Sequence, residues 1–234
     1  MKILYIFPHP DDESFGPAAA MAKQRREGHD VYLLTLTKGG ATRQRHKYGY
    51  SVDEMGDVRY REMMNVSKTL NLSGMTVLDF PDSGLKHLDP RDIEEAIIEE
   101  MELVHPAVVV SYPVHGISGF HDHLVTHAVV KRAFIELSEQ AEFLKRLALY
   151  TITEDQAAAS KHFPLSGSTE AEIDCIETVS AADIESAQRA LDCYVTFQET
   201  IEKTGVRDMI GENVHFELFD ESFDPQIEDL FDFS

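Results

Sequence analysis

The run Ile3-Leu4-Tyr5-Ile6-Phe7 is continuously apolar and lacks the alternation of a half-exposed strand. A strand of that kind is covered on both faces, as in a parallel sheet flanked by helices. Val31-Tyr32-Leu33-Leu34-Thr35-Leu36-Thr37 repeats the pattern, and residues 75–80, 107–112 and 147–152 extend it. Helix-like segments lie between these strands, over residues 16–28, 53–72 and 122–140, with another starting at Asp89-Pro90. In that last helix Asp89 serves as N-cap, Pro90 takes the first helical position, and Ile93, Ile97, Met101 and Val104 form the apolar stripe. Strands alternating with helices imply right-handed crossovers and an α/β, Rossmann-like three-layer fold with a mainly parallel sheet. In such sheets ligands bind outside the carboxyl ends of the strands, so the active site is expected there.

From about residue 155 the pattern is less regular. Residues 172–179 read as a strand and 181–203 as one long helix. The tail from Asp220 carries six acids with Phe223, Phe231 and Phe233 between them, the pattern of a solvated end with a few docking aromatics. With no internal repeat and no clear linker, the expectation is a single domain over residues 1–234.

Composition narrows the partners. The chain has 42 acidic and 21 basic side chains, a formal charge of −21, and 43% hydrophobic residues, enough for a sizeable core. The acid excess argues against nucleic acid or an anionic membrane as a general partner, since phosphates require Lys and Arg. No run approaches the roughly 18 apolar residues of a membrane span. The sequence opens directly on a strand with no signal-peptide pattern, and Cys175 and Cys193 lack metal-ligand spacing. A cytoplasmic protein with free thiols follows as the expectation. Nothing in the sequence opposes a homo-oligomer.

Two constellations carry chemistry. Phe7-Pro8-His9-Pro10-Asp11-Asp12-Glu13 places one imidazole and three carboxylates in five positions directly after the first strand. Charges so close repel, and a divalent cation is the usual remedy. The second is Gly119-Phe120-His121-Asp122-His123, flanked by His115 and His127, after the fourth strand. A catalytic zinc site uses three protein ligands and one open position. One His and one Asp from the first cluster with one His from the second meet that count. Other chemistries lack their signatures: no Gly-x-Gly-x-x-Gly follows the first strand, no Asp-x-Asp is present there, and Gly116-Ile117-Ser118-Gly119 falls short of Gly-x-Ser-x-Gly.

Pro8-His9-Pro10-Asp11-Asp12-Glu13 resembles the signature of the PIG-L/LmbE-like zinc-dependent N-acetylglucosamine deacetylases, and residues 116–123 resemble their second motif. Arg59 with Glu62, and Phe80-Pro81-Asp82-Ser83-Gly84-Leu85, are similar to two further family motifs. The resemblance covers roughly residues 2–130; beyond it, Ala190-Leu191 with Tyr194 and Gln198 is a loose echo. It implies that His9, Asp12 and His123 hold the metal, that Asp11 is the general base, and that Arg59 and Asp82 contact the substrate. Zn2+ suits these donors, as do Fe2+ and cobalt. The implied reaction is removal of the N-acetyl group from an N-acetylglucosamine-containing small molecule. Asp122 is expected behind a histidine as its orienting partner. Glu13 reads equally as a helix-start acid and as a hydrogen-bond partner of the site.

Two departures stand out. Phe120 occupies the position of the family's oxyanion-stabilising histidine, and His121 that of a proline. Either His121 turns into the role, or the metal alone serves, or activity is reduced. The alternative to an enzyme is therefore a metal-binding pseudo-enzyme or binding protein of the same fold. Gly40 also stands where the family has a glutamate after Thr-x-Gly. The loop after the second strand carries Lys38, Arg43, Arg45, His46 and Lys47 and no acid. It reads either as a solvated loop or as a lid in which Lys38 and Arg43 receive an anionic substrate. Among family substrates this favours a malate-type conjugate.

Overall fold

The computed structural model describes residues 1–233. In chain order the elements are β1 (Lys2–Phe7), α1 (Asp12–Phe15), α2 (Ala18–Arg26), β2 (Asp30–Thr37), α3 (Arg45–Tyr48), α4 (Val52–Thr69), β3 (Gly74–Phe80), α5 (Pro90–Val104), β4 (Val108–Ser111), α6 (His121–Ser138), β5 (Arg146–Thr151), α7 (Glu154–Ala159), β6 (Cys175–Thr178), α8 (Ala181–Asp192), α9 (Gln198–Thr204), α10 (Val206–Met209) and β7 (Asn213–Leu218). The strands form one seven-stranded sheet in the order β3-β2-β1-β4-β5-β7-β6. The first five are parallel, and β7 runs antiparallel to both β5 and β6. This is the α/β three-layer architecture expected from the apolar runs.

The side-chain period of two explains why β1 is apolar throughout. Ile3, Tyr5 and Phe7 enter the core with α2, α4 and α8, whereas Leu4 and Ile6 enter the core with α5 and α6. All five are fully buried. From β1 the chain crosses to β2 on one side of the sheet, whereas β4 lies on the other side and leads on to β5. The loops after β1 and β4 diverge at this switch point and open a crevice. Among the described residues no helix is long and apolar enough to cross a membrane. Cys175 and Cys193 are free.

The last third differs from the sequence expectation in three ways. The helix expected over residues 181–203 breaks after Asp192. A 3-10 turn at Val195–Phe197 separates α8 from α9, because Thr196 gives its N–H and hydroxyl to Glu62 of α4 at 2.7 and 2.8 Å. The strand β7 has no counterpart in the expected order. The tail docks more closely than a solvated end: Leu230 and Phe231 are buried, and Phe231 stacks on His29 with centroids 3.8 Å apart. Its anchor is Arg146, only 1% exposed, which pairs through two nitrogens with Glu221 at 2.8 and 2.7 Å and donates to the Leu230 carbonyl at 2.7 Å. Phe223 and Phe233 cover the guanidinium.

Arg146→Met is expected to destabilise the chain by about 3 kcal/mol, the low end for breaking a buried pair, because Glu221 keeps some access to water. Limited proteolysis then cuts near residue 220 in the variant and not in the parent.

Glu177 of β6 supplies a pH dependence. Its carboxylate is fully buried, 3.7 Å from Lys23 and hydrogen-bonded by Gln24. Burial pushes its pKa up to about 7, against the opposing pull of Lys23 and Gln24. Between the ordinary glutamate value and about 7 the folded chain binds a proton that the unfolded chain has released, so stability falls as pH rises through that window. Denaturant midpoints from pH 5 to 8 are expected to fall less in Glu177→Gln than in the parent.

Candidate active site

Both histidine-bearing loops end at the switch point. After β1 the chain turns at Asp11, whose φ of 88° is left-handed and rare for a residue with a side chain. That turn directs His9, Asp11 and Asp12 into one crevice while Asp12–Phe15 begins α1. The backbone N–H of Asp11 donates to the Tyr194 hydroxyl at 2.8 Å, and that hydroxyl donates to Glu13 at 2.7 Å. Ser14 also donates to Glu13, at 2.6 Å. Glu13 is thus both a first-turn acid and a buried hydrogen-bond partner, and burial raises its pKa.

His123 lies in the first turn of α6. Its Nδ1 donates to the Gly116 carbonyl at 3.0 Å, so Nε2 carries the lone pair and faces Asp12 Oδ1 at 3.4 Å. Burial lowers its pKa, against the pull of Asp12. Tyr112 stacks on this ring at 4.3 Å, and Phe120 meets it edge-on at 5.6 Å. His9 is oriented in the same way. Its Nε2 lies 3.2 Å from Asp122 and 3.4 Å from Asp82, and its Nδ1 faces Asp12 at 3.5 Å. Each imidazole therefore has its outer nitrogen committed to a carbonyl or carboxylate and its inner nitrogen turned to the same aspartate, the pattern of metal-ligating histidines.

The donor atoms of His9, Asp12 and His123 all lie within 4.8 Å of one another. A tetrahedral ion with bonds of ~2.0–2.2 Å sets its ligands roughly 3.4 Å apart. His9 Nδ1 lies 3.5 Å from Oδ2 of Asp12 and His123 Nε2 lies 3.4 Å from its Oδ1, so the two imidazoles face the two oxygens of one carboxylate. A second group, His9, Asp82 and Asp122, is equally compact. It relies on the outer nitrogen of His9, and its carboxylates already accept the N–H groups of Ala41 and Ser83, each at 2.7 Å. Oδ1 of Asp122 is buried and has no hydrogen-bond partner among the described residues.

The electrostatics fit a cation. Burial opposes the charge on His9, but hydrogen bonds to Asp12 and Asp122 hold its pKa up at about 10. Burial also opposes ionisation of Asp12, and His123 and His9 outweigh it, keeping the carboxyl below its ordinary range. Asp11 moves the other way: burial pushes it up to about 7, against Arg59, with Asp12 and Glu13 adding to the rise. Arg59 is committed to this loop, donating to Asp11 Oδ2 at 2.6 Å, to the Pro10 carbonyl at 2.5 Å and to the Gly39 carbonyl at 3.1 Å. Phe197 covers its guanidinium at 4.0 Å. Gly39 permits the approach, since a Cβ there would lie 2.5 Å from Arg59. At Gly40 a Cβ would meet the Val52 carbonyl, so this backbone has no room for a side chain at that position.

A cavity of about 810 Å3 opens over the cluster. His9, Asp11, Asp12, His123, Arg59, Asp82 and Arg43 line it. Lys38 and His121 do not: Lys38 pairs with Asp79 at 3.3 Å, and His121 is the exposed first residue of α6. His127 caps the Tyr112 carbonyl at 2.9 Å, and His115 contacts Ser168 at 3.3 Å. Sequence reasoning missed Tyr112, whose ring position follows from its place at the end of β4. It also missed the task of Tyr194, whose signal was the loose motif echo around Ala190 and Gln198.

The family model described as GlcNAc-PI de-N-acetylase matches residues 4–134. The chain belongs to this PIG-L family. Among its relatives, 1D-myo-inositol 2-acetamido-2-deoxy-alpha-D-glucopyranoside deacetylase of Thermomonospora curvata is 33% identical over 153 residues, covering 56% of this chain and 52% of the relative. "Probable N-acetyl-alpha-D-glucosaminyl L-malate deacetylase 2" of Bacillus subtilis is 30% identical over 122 residues, covering 51% and 55%. The chain thus spans about half the length of these curated relatives. The zinc-inhibited form of teicoplanin deacetylase Orf2 superposes with a TM-score of 0.74 at 15% identity, covering 95% of this chain and all of that one, which shows a shared fold. The α/β frame of this PIG-L chain and its family membership thus agree with the resemblance carried by the His9–Glu13 and 116–123 motifs.

Two predictions separate the elements of this site. His123→Ala and Asp12→Ala are expected to lose bound zinc while Asp82→Ala retains it, as measured by metal content after dialysis. Zinc retained in the first two and lost in the third would assign the ion to the other group. Tyr194→Phe leaves the Asp11 N–H and Glu13 without their shared partner, so denaturation is expected to show a loss of about 1–3 kcal/mol with metal content unchanged.

Proposed function

We propose that this chain is a metal-dependent N-deacetylase acting on an N-acetylglucosamine-type conjugate, with His9, Asp12 and His123 as metal ligands and Asp11 as general base. The observation that carries the reading is the convergence of three oriented ligand atoms and an adjacent, otherwise uncommitted carboxylate oxygen on the cavity. A divalent cation held there supplies a Lewis acid for the acetamide carbonyl and its developing negative charge, and a water of lowered pKa; zinc suits the nitrogen and oxygen donors.

The chain's own residues do the rest. Arg59 holds Oδ2 of Asp11, Oδ1 has no hydrogen bond among the described residues, and the residue lines the cavity. Asp11 takes the proton of the attacking water. As the C–N bond breaks, it returns that proton to the departing nitrogen, yielding acetate and a free amine. Asp122 and the Gly116 carbonyl keep the two imidazoles in place. With Phe120 at the position of the family histidine and His121 facing solvent, no side chain takes over the oxyanion role on this reading.

Both curated relatives are named for glucosamine derivatives with different aglycones, which supports the acetamide of the amino sugar as the shared reacting group. The malate-type anion expected from the basic loop meets weaker support. Lys38 and Lys47 pair with Asp79 and Glu199, and neither they nor Arg45 line the cavity, so Arg43 is the loop cation left to it among the described residues. Phe120 favours a second reading, a binding protein that has lost the reaction. Acetate release from N-acetylglucosamine derivatives by zinc-loaded protein separates the two. Asp11→Asn is expected to lower that release by about 10²–10⁴-fold while keeping zinc; full activity in this variant would remove Asp11 from the mechanism.

A further inference from the structure

The cavity has two chemically unlike parts. Its polar part is the cluster of His9, Asp11, Asp12 and His123. Much of the remaining lining is apolar: Phe15 of α1, Tyr150 at the end of β5 and Ile152 beyond it, Phe163 and Leu165 from the segment between α7 and β6, and Met209 of α10. Phe120 and Phe163 meet edge to face with centroids 6.5 Å apart, yet stay 53% and 47% exposed. Two large rings half in water beside a cavity are apolar surface that a ligand can cover. The pair is continuous with the reacting centre, because Phe120 also touches the His123 ring. A volume of about 810 Å3 lies toward the upper end of the ~300–1,000 Å3 of small-molecule sites and exceeds what one acetamido sugar fills.

Charge points the same way. Of the cations near the cavity, Arg59 is consumed by Asp11 and two carbonyls, and Lys38 and Lys47 pair with surface acids and do not line it. One guanidinium, Arg43, is little attraction for a dianionic aglycone on a chain of charge −21.

We infer that the conjugate's aglycone is a bulky apolar group, aromatic or alkyl, and that Phe120 and Phe163 clamp it beside the sugar. This rests on the deacetylase reading and deepens it. Position 120 then acquires a purpose: an aromatic side chain there trades a polar contact to the reacting group for grip on the rest of the substrate. Aromatic faces stack on flat rings and cover alkyl chains at low entropic cost.

The test uses zinc-loaded chain with the phenyl glycoside, the octyl glycoside and the malate conjugate of N-acetylglucosamine. Acetate release gives kcat and KM, and calorimetric titration of Asp11→Asn, with and without Phe163→Ser, gives affinity independently of turnover. The expected result is a preference of about tenfold or more for the phenyl or octyl glycoside over the malate conjugate. Phe163→Ser, and separately Phe120→Ser, should cut that ratio about tenfold through KM. Equal efficiencies and affinities for the three compounds, or a ratio unchanged by Phe163→Ser, overturn the inference. Should none be hydrolysed, the deacetylase reading fails. A calorimetric preference for the apolar glycosides that Phe163→Ser abolishes still supports the clamp, and its absence overturns it.

Discussion

Four ionisable side chains within five residues, His9, Asp11, Asp12 and Glu13, are largely withdrawn from water, and the rest of the structure is arranged to supply their partners. Moving an ion out of water costs several kcal/mol unless opposite charges or hydrogen bonds replace its hydration. Here the replacements come from distant parts of the chain: Arg59 from α4, Tyr194 from beyond α8, and Asp122 and His123 from α6. They can all reach one point because parallel strands deliver their following loops to the same edge of the sheet. The apolar interior of the strands is what forces polar residues to that edge.

The partners fall into two kinds. Some settle the loop: Arg59 ties Asp11 to two backbone carbonyls, and Tyr194 joins the Asp11 backbone to Glu13. Others leave a deficit of positive charge, since the carboxylates facing His9 outnumber the imidazoles among them. In the absence of a metal a proton on His9 meets part of that deficit. A divalent cation held there would meet it more fully and displace the proton, the usual linkage between metal binding and ligand pKa. Burial, with Asp12 and Glu13 adding to it, pushes the Asp11 carboxyl up to about 7.

Much of this was legible in local patterns. The apolar runs announced the first five strands, and Asp89-Pro90 announced the start of α5, where the Asp89 side chain accepts from the Arg91 N–H. The two histidine motifs were recognisable because their residues are adjacent in sequence. The errors have a common origin in long-range contacts. The break after Asp192 depends on Glu62, far away in sequence, which takes the N–H and hydroxyl of Thr196. The docked tail depends on Arg146, which looks like an ordinary surface cation until Glu221 and two phenylalanines enclose it. The basic loop looked like an anion trap because its acids, Asp79 and Glu199, come from other segments.

The sequence by itself determined the layer architecture and the identity of the chemical groups. Strand burial is written into hydrophobic periodicity, and each motif gathers its histidines and aspartates within a few residues. Tertiary structure alone decided how those groups are used. It turned the inner nitrogens of both imidazoles toward Asp12, spent Arg59 on the loop and not on a ligand, pointed His121 outward, and brought Phe120 against Phe163. The physical reason is that desolvation and charge balance are set by every group within a few ångströms, whatever its distance along the chain.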